Sequence, residues 1–436
     1  MRRLTVVYKD PKTLKPRATN PRVHPKKQIE QLKRSIQAFG FVRPVLLDGS
    51  DGIIAGHGST LAAIELGMPD IPTVRVDHLT AEEIRAYVIA DNRLAEDAGW
   101  DRQLLALELK ELSLNFDLTL TGFELPEVDL LLGELEAETD AADEIPEVDP
   151  KQPAVSRIGD LWQIGQHVLL CGDSTKRESF DALLRGAKAQ AVFTDAPYNV
   201  RIAGNVSGLG KAVHSEFAMA SGEMSQEEFT GFLTTVFGHL AASSIDGSLH
   251  YICMDWRHMR EVLDSAGAYS ELKNLCVWAK TNAGMGSLYR SQHELVFVFK
   301  HGTASHINNV ELGRFGRNRS NVWTYAGVNT FGKERDAELA MHPTVKPVAL
   351  VADAILDCSH RGEIVLDAFA GSGSTLIAAE KTGRRGFGIE IDPHYADTIM
   401  RRFKKVYGID ACLLDGGDNF DEVARTRGVS VEPQDG

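Results

Sequence analysis

Residues 363–392, EIVLDAFAGSGSTLIAAEKTGRRGFGIEID, constrain the fold more than any other stretch of this chain. An apolar strand, Ile364–Leu366, runs into the turn Ala370-Gly371-Ser372-Gly373-Ser374. A helical pattern, Thr375–Lys381, follows, and then a second strand ending in Glu390. A strand that enters a helix through small residues and returns as another strand is the building unit of a parallel sheet. The small residues let a ligand approach the backbone at the strand's C-terminal end. Glu390 falls where an acid can accept hydrogen bonds from both ribose hydroxyls of a nucleoside. The turn offers a single glycine pair, GSGST, so the dinucleotide fingerprint GxGxxG is not met, and no GxxxxGK[ST] phosphate loop occurs. A nucleoside cofactor lacking a pyrophosphate is what remains.

Only about 45 residues follow Glu390, too few for the other half of a doubly wound sheet. The missing strands must therefore lie upstream. Apolar runs suited to them are His167–Leu170, Ala191–Thr194, Ser248–Met254, Leu275–Ala279 and Glu294–Phe299, alternating with helical patterns. The expected fold is α/β, a circularly rearranged Rossmann-like sheet whose cofactor half comes last, with a smaller α+β domain in front. The expected boundaries are 1–100 for that domain, 101–157 for an acidic helical segment and linker, 158–408 for the large domain and 409–436 for an acidic tail.

Charge supports these divisions. The 436 residues carry 47 Lys and Arg against 61 Asp and Glu, a net charge of −14. Taken as a whole, that balance argues against a polyanionic partner. Its distribution argues otherwise, because residues 101–150 hold 2 basic against 15 acidic groups while residues 1–43 hold 12 against 2. The large domain is close to neutral. No apolar run approaches the 18 or so residues of a membrane helix, and Lys9 and Asp10 interrupt the N-terminal apolar stretch before a signal core forms. The five cysteines are isolated, with no CxxC pair to suggest a metal cluster, and a reducing cytoplasm is expected.

The chemistry is concentrated upstream. Strand Ala191–Thr194 ends in Asp195-Ala196-Pro197-Tyr198. A carboxylate at a strand end, a rigid extended turn and an exposed aromatic ring can receive a flat heterocycle bearing an amino group. The acid accepts one N–H, a turn carbonyl the other, and the ring stacks on the base. No cysteine adjoins the turn in sequence to supply a covalent nucleophile.

Taken together, Asp195-Ala196-Pro197-Tyr198, then MHPTVKP (341–347), then DAFAGSGST resemble the β-group of S-adenosylmethionine-dependent DNA amino-methyltransferases over roughly residues 158–405. In that family a [DNS]PPY motif precedes FxGxG. GDLWQIGQHVLLCGDS (159–174), LCVWAKTN (275–282) and QHELVFVFKHG (292–302) extend the likeness. The resemblance implies transfer of a methyl group from S-adenosylmethionine to the exocyclic amine of adenine in flipped-out duplex DNA. The Asp-x-Pro-Tyr form favours adenine by family habit. N4 of cytosine is the alternative reaction, and an inactive DNA-binding regulator is the alternative class. By the same resemblance Asp195, Ala196, Pro197 and Tyr198 are catalytic. Asp173, Thr344, Lys346, Asp367, Phe369, Gly371, Gly373, Ser374, Thr375, Glu390 and Ile391 hold the cofactor. No metal is implied. Ala196 replaces the family's first proline. Its carbonyl is retained and Pro197 still biases it towards an extended backbone, so activity is expected to survive with a less rigid turn.

Two polar stretches lack strand patterns, residues 201–224 and 311–335. The second contains GRFGRNRS, so Arg314, Arg317 and Arg319 are expected to contact DNA. Residues 11–98 resemble the ParB/sulfiredoxin-like domain through NPRVHPKKQIEQLKRSIQAFGFVRPVLLD, GIIAGHGSTLAAIELG and LTAEEIRAYVIADNRLAE. The family's arginine-rich nucleotide turn reads Gly56-His57-Gly58-Ser59 here, which removes the charge that would hold phosphates. A role in contacting or positioning DNA is expected instead. Double-stranded DNA is the expected partner, a homodimer is left open, and a restriction-modification setting is implied.

Overall fold

The computed structural model describes residues 4–96, 99–113, 115–136, 146, 152–199, 222–280, 288–310, 319–325 and 345–429. The chain divides into two compact units, Met1–Leu135 and Glu136–Gly436.

In the first unit a four-stranded sheet has the order β1 (Val6–Lys9), β4 (Ile71–Arg75), β2 (Val45–Leu47), β3 (Ile53–Ala55). Helix Lys26–Phe39 stops at Gly40, whose φ of 79° suits glycine. The helix His57–Glu65 begins after Gly56 at φ 101°, where a Cβ would come within 3.1 Å of Val45. Helices Arg102–Leu112 and Leu125–Glu136 belong to this unit too, with their own core of Ala106, Leu109, Leu118, Val128, Leu131 and Leu132. The described part of the acidic segment thus contains a folded helical pair whose apolar positions meet each other, with Asp101, Glu108, Glu111 and Asp117 exposed and Asp129 buried.

The second unit is built on a ten-stranded sheet. Its remaining strands are β5 (Leu161–Ile164), β6 (His167–Cys171), β7 (Ala189–Asp195), β8 (Ser244–Met254), β9 (Glu271–Lys280), β10 (His293–Lys300), β11 (Val322–Tyr325), β12 (Ile364–Asp367), β13 (Arg385–Glu390) and β14 (Ala411–Leu413). They lie in the order β11-β9-β10-β8-β7-β12-β13-β6-β5-β14. The five central strands β8, β7, β12, β13 and β6 are mutually parallel. β6 and β7 follow one another in the chain yet stand three places apart, and β12 and β13 fill the gap some 170 residues later. That is the expected circular rearrangement, with the strands of the glycine turn last in the chain. Two apolar layers cover the two faces, one containing Val351, Ile377 and Phe403 and the other Phe180, Phe229 and Phe237.

The acidic tail does not stand apart from the sheet. β14 pairs with β5, and helix Phe420–Arg427, opened by the reciprocal cap of Asn419 and Glu422, sets Phe420 5.7 Å from the buried Trp162 ring. At the other end of the unit, buried Asp397 accepts from the N–H groups of Val155 (2.7 Å) and Ser156 (2.9 Å), anchoring the chain's entry into the sheet. No described helix is long and apolar enough to cross a membrane.

Candidate active site

β12 occupies the switch point of the sheet, with β13 on one side and β7 on the other, and ligands of open α/β sheets bind beyond the carboxyl ends of strands placed this way. Both sequence motifs end there. Thr194, the penultimate residue of β7, donates its hydroxyl to Asp367 at the end of β12 (2.7 Å), which ties one motif to the other. Asp367 also accepts from the Phe369 N–H at 3.0 Å, and burial pushes its carboxyl up to about 6.

On the β13 side, Glu390 is buried at the strand end. Its carboxylate accepts from the N–H groups of Gly371 (2.7 Å) and Asp392 (2.9 Å). Burial pushes it up to about 8 against those hydrogen bonds, so it lacks the donors that would stabilise its charge fully. Gly371 has φ 51° with open space where a Cβ would stand. Gly373 has φ 85°, and a Cβ there would fall 2.9 Å from Ile399. The first glycine thus keeps the turn open and the second serves packing. Ser374 and Thr375 are buried at the start of the helix Ser374–Lys381, Ile391 is half-buried, and the Phe369 ring packs tilted against Phe232 at 5.8 Å. Asp173 follows β6, whose Cys171 is level with Glu390. Its carboxylate accepts from the backbone and hydroxyl of Thr175 at 2.9 and 2.7 Å. Asp173, Gly371 and Glu390 therefore line neighbouring loops and suit a nucleoside. Thr344 lies outside the described residues.

On the β7 side, Asp195 keeps a quarter of its side chain exposed while Ala196 behind it is buried. Tyr198 lies 2.9 Å from Asp195 Oδ1 and 3.0 Å from Glu294 Oε2 through its hydroxyl. Lys346 lies on the Asp195 side of the crevice. Its ammonium reaches Asp195 Oδ2 (2.6 Å), Glu294 Oε2 (3.0 Å) and the Tyr198 hydroxyl (3.2 Å), which uses all three of its N–H donors. Glu294 was not singled out by the sequence, where it reads only as a strand residue. Among the described residues it joins Tyr198, Lys346 and Lys280. Cys253 of β8 is in register with Asp195, a neighbour invisible in sequence. Burial holds its thiol well above the ordinary range and therefore neutral, so it is no nucleophile. Asn199, at φ 50°, holds residues 222–224 by accepting from the N–H groups of Gly222 and Met224 and donating to the Met224 carbonyl.

Two loops at the ends of adjacent parallel strands, one open to a nucleoside and one presenting a carboxylate and an aromatic ring, make the arrangement of a Rossmann-like methyltransferase. Residues 189–401 match the profile of the DNA methylase family, and residues 103–158 match the ParB-methyltransferase HTH domain. Members of that family use S-adenosylmethionine. The ParB-like nuclease domain-containing protein YnaK of Escherichia coli K12 is 42% identical over 81 residues, 19% of this chain and 93% of YnaK. The type II methyltransferase M.HpaI of Haemophilus parainfluenzae is 36% identical over 107 residues, 24% of this chain. The chain spans only 31% of M.HpaI's length. The crystal structure of an M1.HpyAVI–SAM complex is 20% identical, with a TM-score of 0.40 over 54% of this chain and 97% of that one. The helix-turn-helix match falls on the stretch that composition presents as an acidic segment. Its leucine spacing was the available signal.

The arginine-rich stretch is corrected in one position. Arg319 is not free for DNA, because its guanidinium is held by Asp357 (2.8 Å), Asp353 (2.9 Å) and the Tyr325 hydroxyl (2.9 Å), with its face 5.0 Å from the Trp323 ring. Arg314 and Arg317 lie outside the described residues. Arg319→Ala would remove the guanidinium that joins these two aspartates. It is expected to cost about 3–5 kcal/mol in urea unfolding while leaving the salt dependence of DNA binding unchanged. A reduced salt slope at unaltered stability would restore the DNA-contact reading.

Proposed function

We propose that the protein transfers a methyl group from S-adenosylmethionine to the exocyclic N6 amine of adenine in duplex DNA, taking the base out of the stack. The observation that carries this reading is the Thr194–Asp367 hydrogen bond, which fastens the base-binding turn to the cofactor turn at neighbouring strand ends. S-adenosylmethionine, when bound, supplies an electrophilic methyl on a positively charged sulfur. Glu390 is suited to hold the two ribose hydroxyls, Asp173 to lie by the adenine of the cofactor, and Gly371 to give the nucleoside room. Asp195 would accept one amine hydrogen and the Ala196 carbonyl the other, aiming the nitrogen lone pair at the methyl carbon. Tyr198 would stack on the base and offset part of the few kcal/mol that flipping costs. The methyl group would leave its bonding electron pair on the sulfur as it joins the amine nitrogen, and the amine would then give up a proton. Positioning and electrostatics then carry the catalysis.

The basic residues 1–43 and the helix-turn-helix segment are proposed to add DNA contacts that hold the duplex. The test uses the full-length protein, isotopically labelled S-adenosylmethionine and unmethylated genomic DNA, followed by digestion to nucleosides. Label in N6-methyldeoxyadenosine is expected. Label in N4-methyldeoxycytidine would replace adenine by cytosine. Tight DNA binding without label at saturating cofactor would make the protein a regulator.

A further inference from the structure

Asp195 must do more than hold an amine, because the methylated nitrogen is left with a surplus proton that needs an acceptor. Resting on the methyl-transfer reading, we propose that Glu294 and Lys346 are positioning residues that set the basicity of Asp195 through a balanced, buried charge pair. Neither would touch the base. Their effect would pass through contacts with Asp195 and Tyr198.

The described groups facing Asp195 come from every neighbouring element. They are Lys346 from the segment before helix Val348–Cys358, Glu294 from β10, Tyr198 from the turn, the neutral thiol of Cys253 from β8, and Asp367 from β12. Lys280 of β9 stands behind Glu294, paired to its second oxygen. Lys346 and Glu294 are 4% and 8% exposed in their side chains, so water cannot screen them as it would a surface pair. Direct contacts join two cations, Lys346 and Lys280, to two carboxylates, Asp195 and Glu294. Burial favours the neutral form of Asp195 while Lys346 favours the ionised form. Although burial opposes it, Lys346 and then Lys280 hold Glu294 down at about 2, which makes it a permanent anion at working pH. Glu294 thus tempers the pull of Lys346 on Asp195. A lone lysine there would make the aspartate too weak a base. A lone aspartate, without Lys346, would stay protonated too far up the pH scale to accept from an amine.

The geometry also fixes a ring. The Tyr198 hydroxyl accepts from Lys346 and has one proton to share between two carboxylates at 2.9 and 3.0 Å. The oxygen is therefore held on three sides and the stacking plane with it, while the Lys346 ammonium lies 5.9 Å from the Trp278 ring on the far side.

The test is the pH dependence of the single-turnover rate of methyl incorporation into unmethylated genomic DNA. Transfer needs ionised Asp195, so the rate rises with pH through an acid limb. Glu294→Gln adds net positive charge near Asp195 and is expected to move that limb to lower pH. Lys346→Met removes the cation and is expected to move it higher. The two limbs should separate by at least about one pH unit, tenfold in rate at a fixed pH on the limb. The charge-neutral double variant Glu294→Gln/Lys346→Met is expected to return the limb to near its wild-type position, and it keeps the test alive if either single variant unfolds. Limbs that move together or stay in place, or a double variant displaced as far as a single one, overturn the proposal. A wild-type protein that transfers no methyl group overturns the functional reading instead, and the inference falls with it.

Discussion

Asp195→Ala is expected to lower the single-turnover rate of methyl transfer by about a thousandfold while leaving the affinity for S-adenosylmethionine within a few fold of wild type. The two effects separate because Asp195 ends β7 whereas Gly371 and Glu390 lie beyond β12 and β13. Losing the carboxylate removes the acceptor for the amine hydrogen and leaves Lys346 with Glu294 as its remaining carboxylate, so the site gains net positive charge where a cationic amine would form. Asp195→Asn separates those losses. The amide oxygen can still accept from the base, but it carries no charge and takes no proton. Its rate is expected to fall between wild type and Asp195→Ala. Rapid-quench measurement with labelled cofactor reads all three, and calorimetry of cofactor binding checks that each variant is folded. An alanine variant with wild-type transfer would remove Asp195 from the mechanism.

That experiment addresses the part of the site most legible in sequence. Asp195-Ala196-Pro197-Tyr198 and the glycine turn are local motifs, and each strand that presents them announces itself as an apolar run. That further strands of the sheet lie upstream of the glycine turn was equally legible, from the apolar runs at 167–170, 191–194, 248–254, 275–279 and 294–299. What could not be read is what faces what across the sheet. Lys346 sits 151 positions from Asp195 and belongs by sequence to a stretch near the cofactor motif, yet its ammonium turns to the aspartate. Glu294 stands near the start of β10, just ahead of an unbroken apolar run, like any polar residue at a strand end. Its burial follows from the sheet's placing β10 between β8 and β9, which no local pattern encodes. Arg319 shows the opposite error. Three arginines among glycines suggest a solvated loop, but Asp353 and Asp357, one helical turn apart on Val348–Cys358, present their carboxylates to it together. In the tail, acid content hid a real helix signal, for Phe420, Val423 and Ala424 follow helical spacing behind the Asn419 cap and all three are buried.

Glu390 carries the second large effect, because its charge is the property cofactor binding should alter. With no ligand, burial holds this carboxyl at about 8, above its ordinary 4.5, so near neutral pH the folded chain keeps a proton the unfolded chain has released. Stability of the free protein is therefore expected to fall as pH rises through that window. Cofactor binding should run the other way. Two ribose hydroxyls can donate to the ionised carboxylate and only one can do so comfortably to its protonated form, so binding favours ionisation and expels the proton. Affinity for S-adenosylmethionine is expected to climb between about pH 6 and 8, approaching tenfold per unit at the steepest. Proton release should appear as a dependence of the calorimetric enthalpy on the buffer's own ionisation heat. Glu390→Ala loses both charge-assisted hydrogen bonds and should bind about a hundredfold more weakly, on the order of 3 kcal/mol. Glu390→Gln should bind weakly too but with a flat pH profile and no buffer dependence, since nothing at that position can then titrate. If the glutamine variant kept the wild-type slope, the titrating group would be elsewhere in the crevice, with Asp367, held at about 6, the next to examine.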